Sequence, residues 1–228
     1  IWPVGRAPEK GAAEGMSVHG VALRSIADAG RTIFVPVGGT LHVLAPSSIE
    51  ESTLGGMASG SKWVRVQARG DGVFFQGSWP EIERRCRLAI ASELVGLCQR
   101  IIDSAVEHVS ARRQFGRAIG TYQAVRHRLA EAYAEMVGAQ ALIAAAWEDG
   151  SADAALVAKA VAGTAHDVVS KHALQVCGAI GLSEEHELPS LVRRGFALDA
   201  LLGSSRPVPS KFGHRILDGE RLEPVGQF

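Results

Sequence analysis

The run from Arg112 to Gly116 carries the side chains best suited to chemistry in this sequence. It reads Arg-Arg-Gln-Phe-Gly and is followed by Arg117. Guanidinium groups bind phosphate oxygens through paired hydrogen bonds, and a ring beside a glycine lets a flat ligand approach the backbone. The run therefore indicates a site for a phosphate or pyrophosphate with a ring system nearby. Taken alone, it favours a simpler interpretation, a solvated basic turn where cations stabilise the carboxyl end of a helix.

A second candidate segment contains Gln175, Gly178 and Gly181. Because glycine has no Cβ, backbone amides at these positions could approach a ligand closely. The segment follows a predicted helix and not a strand, so it is not a dinucleotide-binding fingerprint. Taken alone, the glycines are more simply explained as a helix end. No metal site is expected, because His108 and His172 lack the spacing of metal ligands.

Predicted helices must position both segments. Apolar residues recur every three or four positions through most of the second half of the chain, which is typical of helices with one buried face. Four helices are predicted, at about 78–112, 121–150, 151–178 and 189–203. Their short connections favour an antiparallel four-helix bundle over 78–204, and their broad apolar stripes favour a dimer or tetramer. Prolines at 207, 209 and 224 lead us to expect an extended tail over 205–228.

The first part of the chain predicts a small β-sheet or barrel domain over 1–77, which makes the fold class α+β. Short runs rich in valine and aromatic residues are separated by glycine and polar turns. Gly38 and Gly39 are placed to form a hairpin turn, and the serine- and glycine-rich stretch 47–61 is expected to be a loop. Strands are predicted at 17–23, 32–37, 41–44, 63–68 and 72–75.

Composition narrows the class of protein. The 228 residues have a formal net charge of zero, so no nucleic-acid surface is expected. No apolar stretch is long enough to span a bilayer, and the first residues do not read as a signal peptide. Cys86, Cys98 and Cys177 are expected to be buried free thiols, which favours a cytoplasmic setting. The chain starts at Ile1, and we expect a fragment, a processed product or the ordered part of a longer chain.

Together, the two glycine-containing segments resemble the acyl-CoA dehydrogenase family. The resemblance covers the helical half closely, and residues 1–77 look like a shortened form of the family's middle domain. We find no counterpart of the family's N-terminal helical domain. The residues that carry the resemblance are Arg112, Gln114, Phe115, Gly116, Gln123, Gln175, Gly178 and Gly181.

The resemblance implies a bound FAD, which the Arg112–Gly116 run reaches in a neighbouring subunit. Arg112 is expected to bind the pyrophosphate of the cofactor. Ala179 stands where the family often has a glycine, which tightens the space for the cofactor. The other expected cofactor residues are Gln114, Phe115 and Gln123 on the adenosine side, and Gln175, Gly178 and Ala179 at the linker.

The proton acceptor of the family's reaction is missing from its usual places. In that reaction a carboxylate removes a proton next to the thioester carbonyl, and the flavin takes a hydride from the next carbon. The resemblance places the glutamate of most relatives at Leu202 and that of a minority at Cys86. Arg87 matches an arginine that the family uses near its substrate, or is a solvated helix residue. Glu93 and Asp199 could substitute for the base, although ordinary polar roles are the simpler interpretation.

These observations favour an FAD-dependent acyl-CoA dehydrogenase subunit that lacks the catalytic glutamate and pairs with a related subunit that has it. The arrangement resembles the heterotetrameric enzymes of bacterial steroid side-chain breakdown, so an acyl-CoA with a bulky ring system is one expected substrate. A separate flavoprotein is one candidate for the electron acceptor. One alternative is an inactive structural partner without flavin. Another is an active homo-oligomer that uses Glu93 or Asp199.

Overall fold

The computed structural model describes residues 2–3, 16–22, 33–37, 39–53 and 63–222. The chain divides into two compact units, Ile1–Glu83 and Arg84–Phe228. An antiparallel sheet and a set of long helices confirm the predicted α+β fold class. None of the helices in the described ranges is long and apolar enough to cross a membrane.

The first unit contains a five-stranded antiparallel sheet. Its strands are β1 (Trp2–Pro3), β2 (Met16–Ala22), β3 (Ile33–Val37), β4 (Thr40–Thr53) and β5 (Val64–Ser78), in the spatial order β1-β2-β5-β4-β3. Along β5, Val64, Val66 and Ala68 are buried while Arg65 and Arg69 are exposed. Side chains alternate between the two faces of a strand, so the valines and alanine pack on the core of the sheet.

The predicted hairpin turn lies between β3 and β4. Val37 pairs with Thr40, and Gly39 has a φ of 86°, which a glycine adopts at little cost. Gly38 falls outside the described residues, as do 54–61 of the expected loop.

Two strand predictions are wrong in length. The runs 63–68 and 72–75 belong to a single strand, β5, and residues 47–53 continue β4 instead of forming a loop. The two strands pair along most of their length, with a register shift between Pro46 and Ser48. Cross-strand hydrogen bonding therefore decides the conformation of this polar stretch, which strand propensity alone does not favour.

The four predicted helices are confirmed, and apart from the first residues of one helix they lie in the second unit. They are α1 (Trp79–Ala111), α2 (Gln123–Asp149), α3 (Ala152–Cys177) and α4 (Leu188–Ala200). Gly150, with a φ of 73°, ends α2 as its left-handed cap. The Ser151 hydroxyl accepts a hydrogen bond from the Ala154 amide at 3.0 Å, which caps the start of α3.

The tail is not extended throughout, because it contains a fifth helix, α5 (Val208–Leu217). Pro207 and Pro209 stand at its start, where the first amides of a helix have no partner within the helix. Proline there begins a helix instead of preventing one. Val208 and Phe212 pack with Leu156 and Ala160 of α3.

The bundle is centred on α3, whose buried face consists largely of alanine. Small side chains let neighbouring helices approach this face closely. At one end, Val169 and Ala173 of α3 pack with Ile101 of α1 and Met136 of α2. At the other end, the alanines at the start of α3 belong to a second cluster with Leu88, Leu94, Ile143 and Leu198.

The cysteine prediction is correct for two of the three residues. Cys98 and Cys177 are buried free thiols, and burial raises the pKa of Cys98 to about 12 and that of Cys177 to about 11. Cys86 is exposed, which contradicts the expectation. The buried face of α1 contains Leu88, and residues two apart on a helix do not share a face.

Candidate functional site

The Arg112–Gly116 run folds into a tight hairpin between α1 and α2. Two short strands pair Arg113 with Ala118 and Gln114 with Arg117. Phe115 and Gly116 form the two-residue turn, with φ values of 52° and 83°. Positive φ at both central residues gives the turn a twist that matches the paired strands.

Phe115 combines an unfavourable backbone with an exposed ring. A positive φ costs a residue with a Cβ about 1–2 kcal/mol. The residue is 90% exposed, so no packing within the described chain offsets that cost. Strained residues of this kind cluster at functional sites, and an exposed aromatic ring can contact a ligand or another chain.

Contacts on its inner side hold the hairpin in place. The Arg117 guanidinium lies 4.0 Å from the centre of the Tyr122 ring, and the Tyr122 hydroxyl donates to the Gln114 carbonyl at 3.4 Å. The Ile119 amide donates to the Arg112 carbonyl at 2.9 Å. The backbone is fixed by these contacts, while the Arg112, Arg113 and Gln114 side chains remain exposed.

The second candidate segment ends α3. Gly178 has a φ of 64° and open space where a Cβ would be, and a short 3₁₀ turn, Gly178–Leu182, follows it. Gln175, Gly178 and Ala179 are exposed, whereas Gly181 is buried. A Cβ on Gly181 would lie 3.0 Å from the Cys177 Cβ, so glycine there serves close packing.

Both segments lie at the same end of the bundle. The ring of His108, in the last turn of α1, lies 6.1 Å from that of His186, which follows α3. Ile119 beside the hairpin and Ile180 beside Gly178 pack against the same core cluster. Burial lowers the pKa of His108, and the charges of His186 and Arg112 lower it further. The charges of His186 and Arg112 therefore both act on His108 at this end of the bundle.

The two expected positions of the base lie near each other at the opposite end. The Arg87 Nε donates to the Leu202 carbonyl at 3.3 Å, so the start of α1 and the loop after α4 are in contact. Leu202 is buried and has a φ of 55°. Cys86, which directly precedes Arg87, is exposed.

The two carboxylates considered as substitutes are both engaged. Glu93 accepts hydrogen bonds from Arg194, one of them from Nε at 2.8 Å. Asp199 accepts from the Ser204 hydroxyl and the Ser205 amide, each at 3.1 Å. A base needs a carboxylate free to receive the substrate proton, so these contacts favour structural roles.

The two histidines singled out in the sequence have polar or aromatic neighbours. His108 contacts His186, and the His172 Nε2 lies 3.5 Å from Glu131 Oε2. Among the described residues, there is no group of at least three histidine, cysteine or acidic side chains that could hold a metal ion.

Lys159 is a residue that the sequence analysis did not identify. Its side chain is fully buried, and its Nζ donates to the carbonyls of Asp199, at 2.8 Å, and Gly203. Burial lowers the pKa of Lys159 to about 8, although the charge of Asp199 opposes the shift. The sequence did contain a signal that Lys159 is buried. Lys159 stands four residues after Ala155 and three before Ala162, which is the spacing of the buried face of α3.

The two ends of the bundle are far apart within one chain. At a rise of about 1.5 Å per residue, the helix from Lys159 to Gln175 is about 24 Å long. The cofactor residues predicted at one end and the base positions at the other therefore lie too far apart to contact each other directly.

The sequence of the helical unit is similar to that of known proteins. Residues 84–206 match the sequence family described as "Acyl-CoA dehydrogenase, C-terminal domain". The acyl-CoA dehydrogenase IpdE2 of Mycolicibacterium smegmatis is 33% identical over 119 residues, which are 52% of this chain and 38% of that protein. The chain thus spans well under half the length of this curated relative.

Two solved structures have a similar fold at low sequence identity. The ChsE4-ChsE5 complex from Mycobacterium tuberculosis matches with a TM-score of 0.73 and 21% identity, over 96% of this chain and 64% of that chain. A variant of the Tcur3481-Tcur3483 steroid ACAD matches with a TM-score of 0.75 and 21% identity, over 93% and 62%. At this identity the likeness is one of fold.

Proposed function

The chain belongs to the acyl-CoA dehydrogenase family, and from this premise we propose that it is a subunit of an FAD-dependent enzyme that desaturates an acyl-CoA thioester. The observation that carries the proposal is the rigid, exposed hairpin of Arg112–Gly116, which lies at the same end of the bundle as Gln175 and Gly178. Each of the cofactor residues expected from the family resemblance lies on this end.

The chemistry of these residues fits FAD. The exposed Arg112 and Arg113 guanidiniums suit a pyrophosphate, and the exposed Phe115 ring suits stacking against a flat group. Gln114 and Gln123 offer amides for hydrogen bonds to polar edges of the cofactor. Open space beside Gly178 lets its backbone approach a ligand. When bound, FAD would accept the hydride from the substrate.

The proton acceptor is proposed to come from another, related subunit. The side chains at the two expected base positions are a buried leucine and an exposed thiol, and Glu93 and Asp199 are held by other residues. The exposed Phe115 ring at the tip of the hairpin supports a cofactor shared across an interface. The Phe115 ring would reach across that interface and exclude water beside the cofactor.

The proposed substrate is an acyl-CoA of steroid or other lipid breakdown. One similar structure is named a steroid ACAD, and another is a complex of two named components, which supports a paired arrangement. The thioester would lose a proton to the partner's carboxylate and a hydride to the flavin, which leaves an α,β-unsaturated thioester. The proposed electron acceptor is a separate flavoprotein.

The test is to produce this chain together with a related glutamate-bearing subunit and to follow flavin reduction by an acyl-CoA without oxygen. The proposal expects bleaching of the flavin bands in the complex, and its loss when the partner's glutamate is changed to glutamine. Glu93→Gln in this chain serves as the matched control and should leave the rate unchanged. If Glu93→Gln abolishes reduction while the partner's change does not, the base belongs to this chain and the proposal is wrong.

A further inference from the structure

Lys159 is buried in a place where a charge is costly. Its side chain has no exposed surface, and its neighbours along this face of α3 are small or apolar residues. A buried ammonium is tolerated when it is paired and its hydrogen-bonding capacity is used. Its partners therefore indicate what the charge is there to hold.

The partners of Lys159 lie on both sides of Leu202. Its Nζ donates to the Asp199 carbonyl in the last turn of α4 at 2.8 Å, and to the Gly203 carbonyl beyond that turn. It also lies 3.7 Å from the Asp199 Oδ1. A single ammonium thus ties the end of α4 to the loop that follows it.

The Asp199 carboxylate extends this set of contacts. It accepts hydrogen bonds from the Ser204 hydroxyl at 3.1 Å and from the Ser205 amide at 3.1 Å. Gly163, one turn beyond Lys159 on α3, leaves room for it, since a Cβ there would overlap Asp199 Oδ1. We call Lys159, Asp199 and their contacts at 203–205 the Lys159 clamp.

The loop that the clamp holds has an unfavourable backbone. Leu202 has a φ of 55°, and such conformations persist only where the surrounding structure over-determines them. The Arg87 Nε adds a third hydrogen bond to this loop, at the Leu202 carbonyl. Carbonyls 199, 202 and 203 are thus all bound by cationic side chains from α1 and α3.

We propose that Lys159 is a positioning residue, which fixes the loop 199–205 and thereby sets Leu202 and its neighbour Arg87 in place. The link to acyl-CoA binding rests on the proposed function, because Leu202 and Arg87 border the substrate site only if that function holds. The effect on the loop does not depend on it. A purely structural lysine would instead stabilise the whole bundle evenly.

The test compares Lys159→Met with Lys171→Met by hydrogen exchange and mass spectrometry on the full chain. Methionine is similar in length to lysine and carries no charge. Lys171 is the matched control, since it lies on the same helix with its side chain 70% exposed and pairs with Asp167. We expect amides of 199–206 to exchange at least about tenfold faster in Lys159→Met, with α2 unchanged and with wild-type exchange throughout Lys171→Met.

Two results would overturn the proposal. One is unchanged exchange at 199–206 in Lys159→Met. The other is an equal acceleration in α2, which would assign Lys159 to overall stability. If Lys159→Met does not fold, Asp199→Asn is judged by the same criterion, because it removes the charge that faces Lys159 and keeps the backbone carbonyl. It should accelerate exchange at 199–206 by a smaller factor than tenfold and leave α2 unchanged.

The link to the substrate is tested separately, with a non-reactive acyl-CoA thioether as the probe and the complex with the glutamate-bearing subunit as the protein. Lys159→Met should weaken binding of the thioether at least about tenfold without lowering flavin content. Unchanged affinity would show that the loop does not border the substrate site. A wild-type complex that binds no thioether would refute the proposed function, while the exchange experiment would still decide the role of Lys159.

Discussion

The residues at the tip of the hairpin show how far residue types alone define a site. The family resemblance singled out Arg112, Gln114 and Phe115, and the structure places all three exposed on a rigid turn. The motif could be recognised from the sequence because the contacts that shape the hairpin join residues close together in the chain. Lys159 was missed because its partners lie 40 or more positions along the chain, and no short motif reports them.

At the same scale, Arg112→Ala should weaken FAD binding while leaving the fold intact. Hydrogen bonds to charged groups contribute about 1.5–3 kcal/mol, so we expect the Kd for FAD to rise by about ten- to a hundredfold. Fluorescence titration of the apoprotein complex with FAD measures this change. Arg128→Ala, at an exposed position on α2, should leave the Kd unchanged. Equal losses in both variants would indicate a general charge effect instead of a contact at Arg112.

Leu202→Glu in this chain should restore acyl-CoA oxidation to the flavin-loaded complex in which the partner's glutamate has been changed to glutamine. The new carboxylate would stand on a stretch of backbone that Arg87 and Lys159 already hold by hydrogen bonds. The positive charges of these two residues favour the ionised form of the carboxylate. Steady-state oxidation with an artificial electron acceptor measures the gain, and Leu202→Gln is the control. A folded, flavin-loaded Leu202→Glu variant without any oxidation would refute the assignment of position 202 to the base.

At the scale of elements, the helices were predictable because their signals are local. Gly150 and Ser151 mark one helix end and the next start, and both act as caps in the structure. Strand length and the fifth helix were not predictable in the same way. Residues 47–53 become a strand through pairing with β5, and Pro207 begins α5 although prolines in a tail favour an extended chain.

Two glycines inside helices should respond in opposite ways to alanine. Gly163→Ala should lower the free energy of unfolding by about 1–3 kcal/mol, because its Cβ would overlap the Asp199 carboxylate. Gly138→Ala should raise it by about 0.5–1 kcal/mol, because Gly138 is exposed on α2 with open space at the Cβ position. Urea unfolding measures both. A stable Gly163→Ala variant would show that Asp199 does not need to fit against α3.

At the scale of the whole molecule, buried ionisable groups give stability a defined pH dependence. The pKa of Lys159 is lowered from 10.5 to about 8 in the folded chain, so the unfolded chain binds more protons between these values. The contribution of Lys159 to stability is therefore full above its unfolded pKa and is lost as pH falls through about 8. The thiols of Cys98 and Cys177 act in the opposite direction, since burial raises their pKa values and their contribution is lost as pH rises above 9.

The difference between wild type and Lys159→Met isolates the lysine from the thiols. The free energy of unfolding of wild type, relative to that of Lys159→Met, should rise by at most about 1.4 kcal/mol per pH unit between pH 8 and 10.5. Urea unfolding of both proteins at a series of pH values measures it. A difference that stays constant, or falls, over this range would contradict a lowered pKa for Lys159.

The central claim is that this chain contributes to a flavin site although it lacks the usual base. The absorption spectrum of the purified protein tests it most directly, recorded for the chain alone and for its complex with a related glutamate-bearing subunit. We predict the flavin bands in the complex, and their loss from the complex when Arg112 and Phe115 are both replaced by alanine. A colourless preparation in both cases would contradict the claim and leave this chain as a structural member of its family.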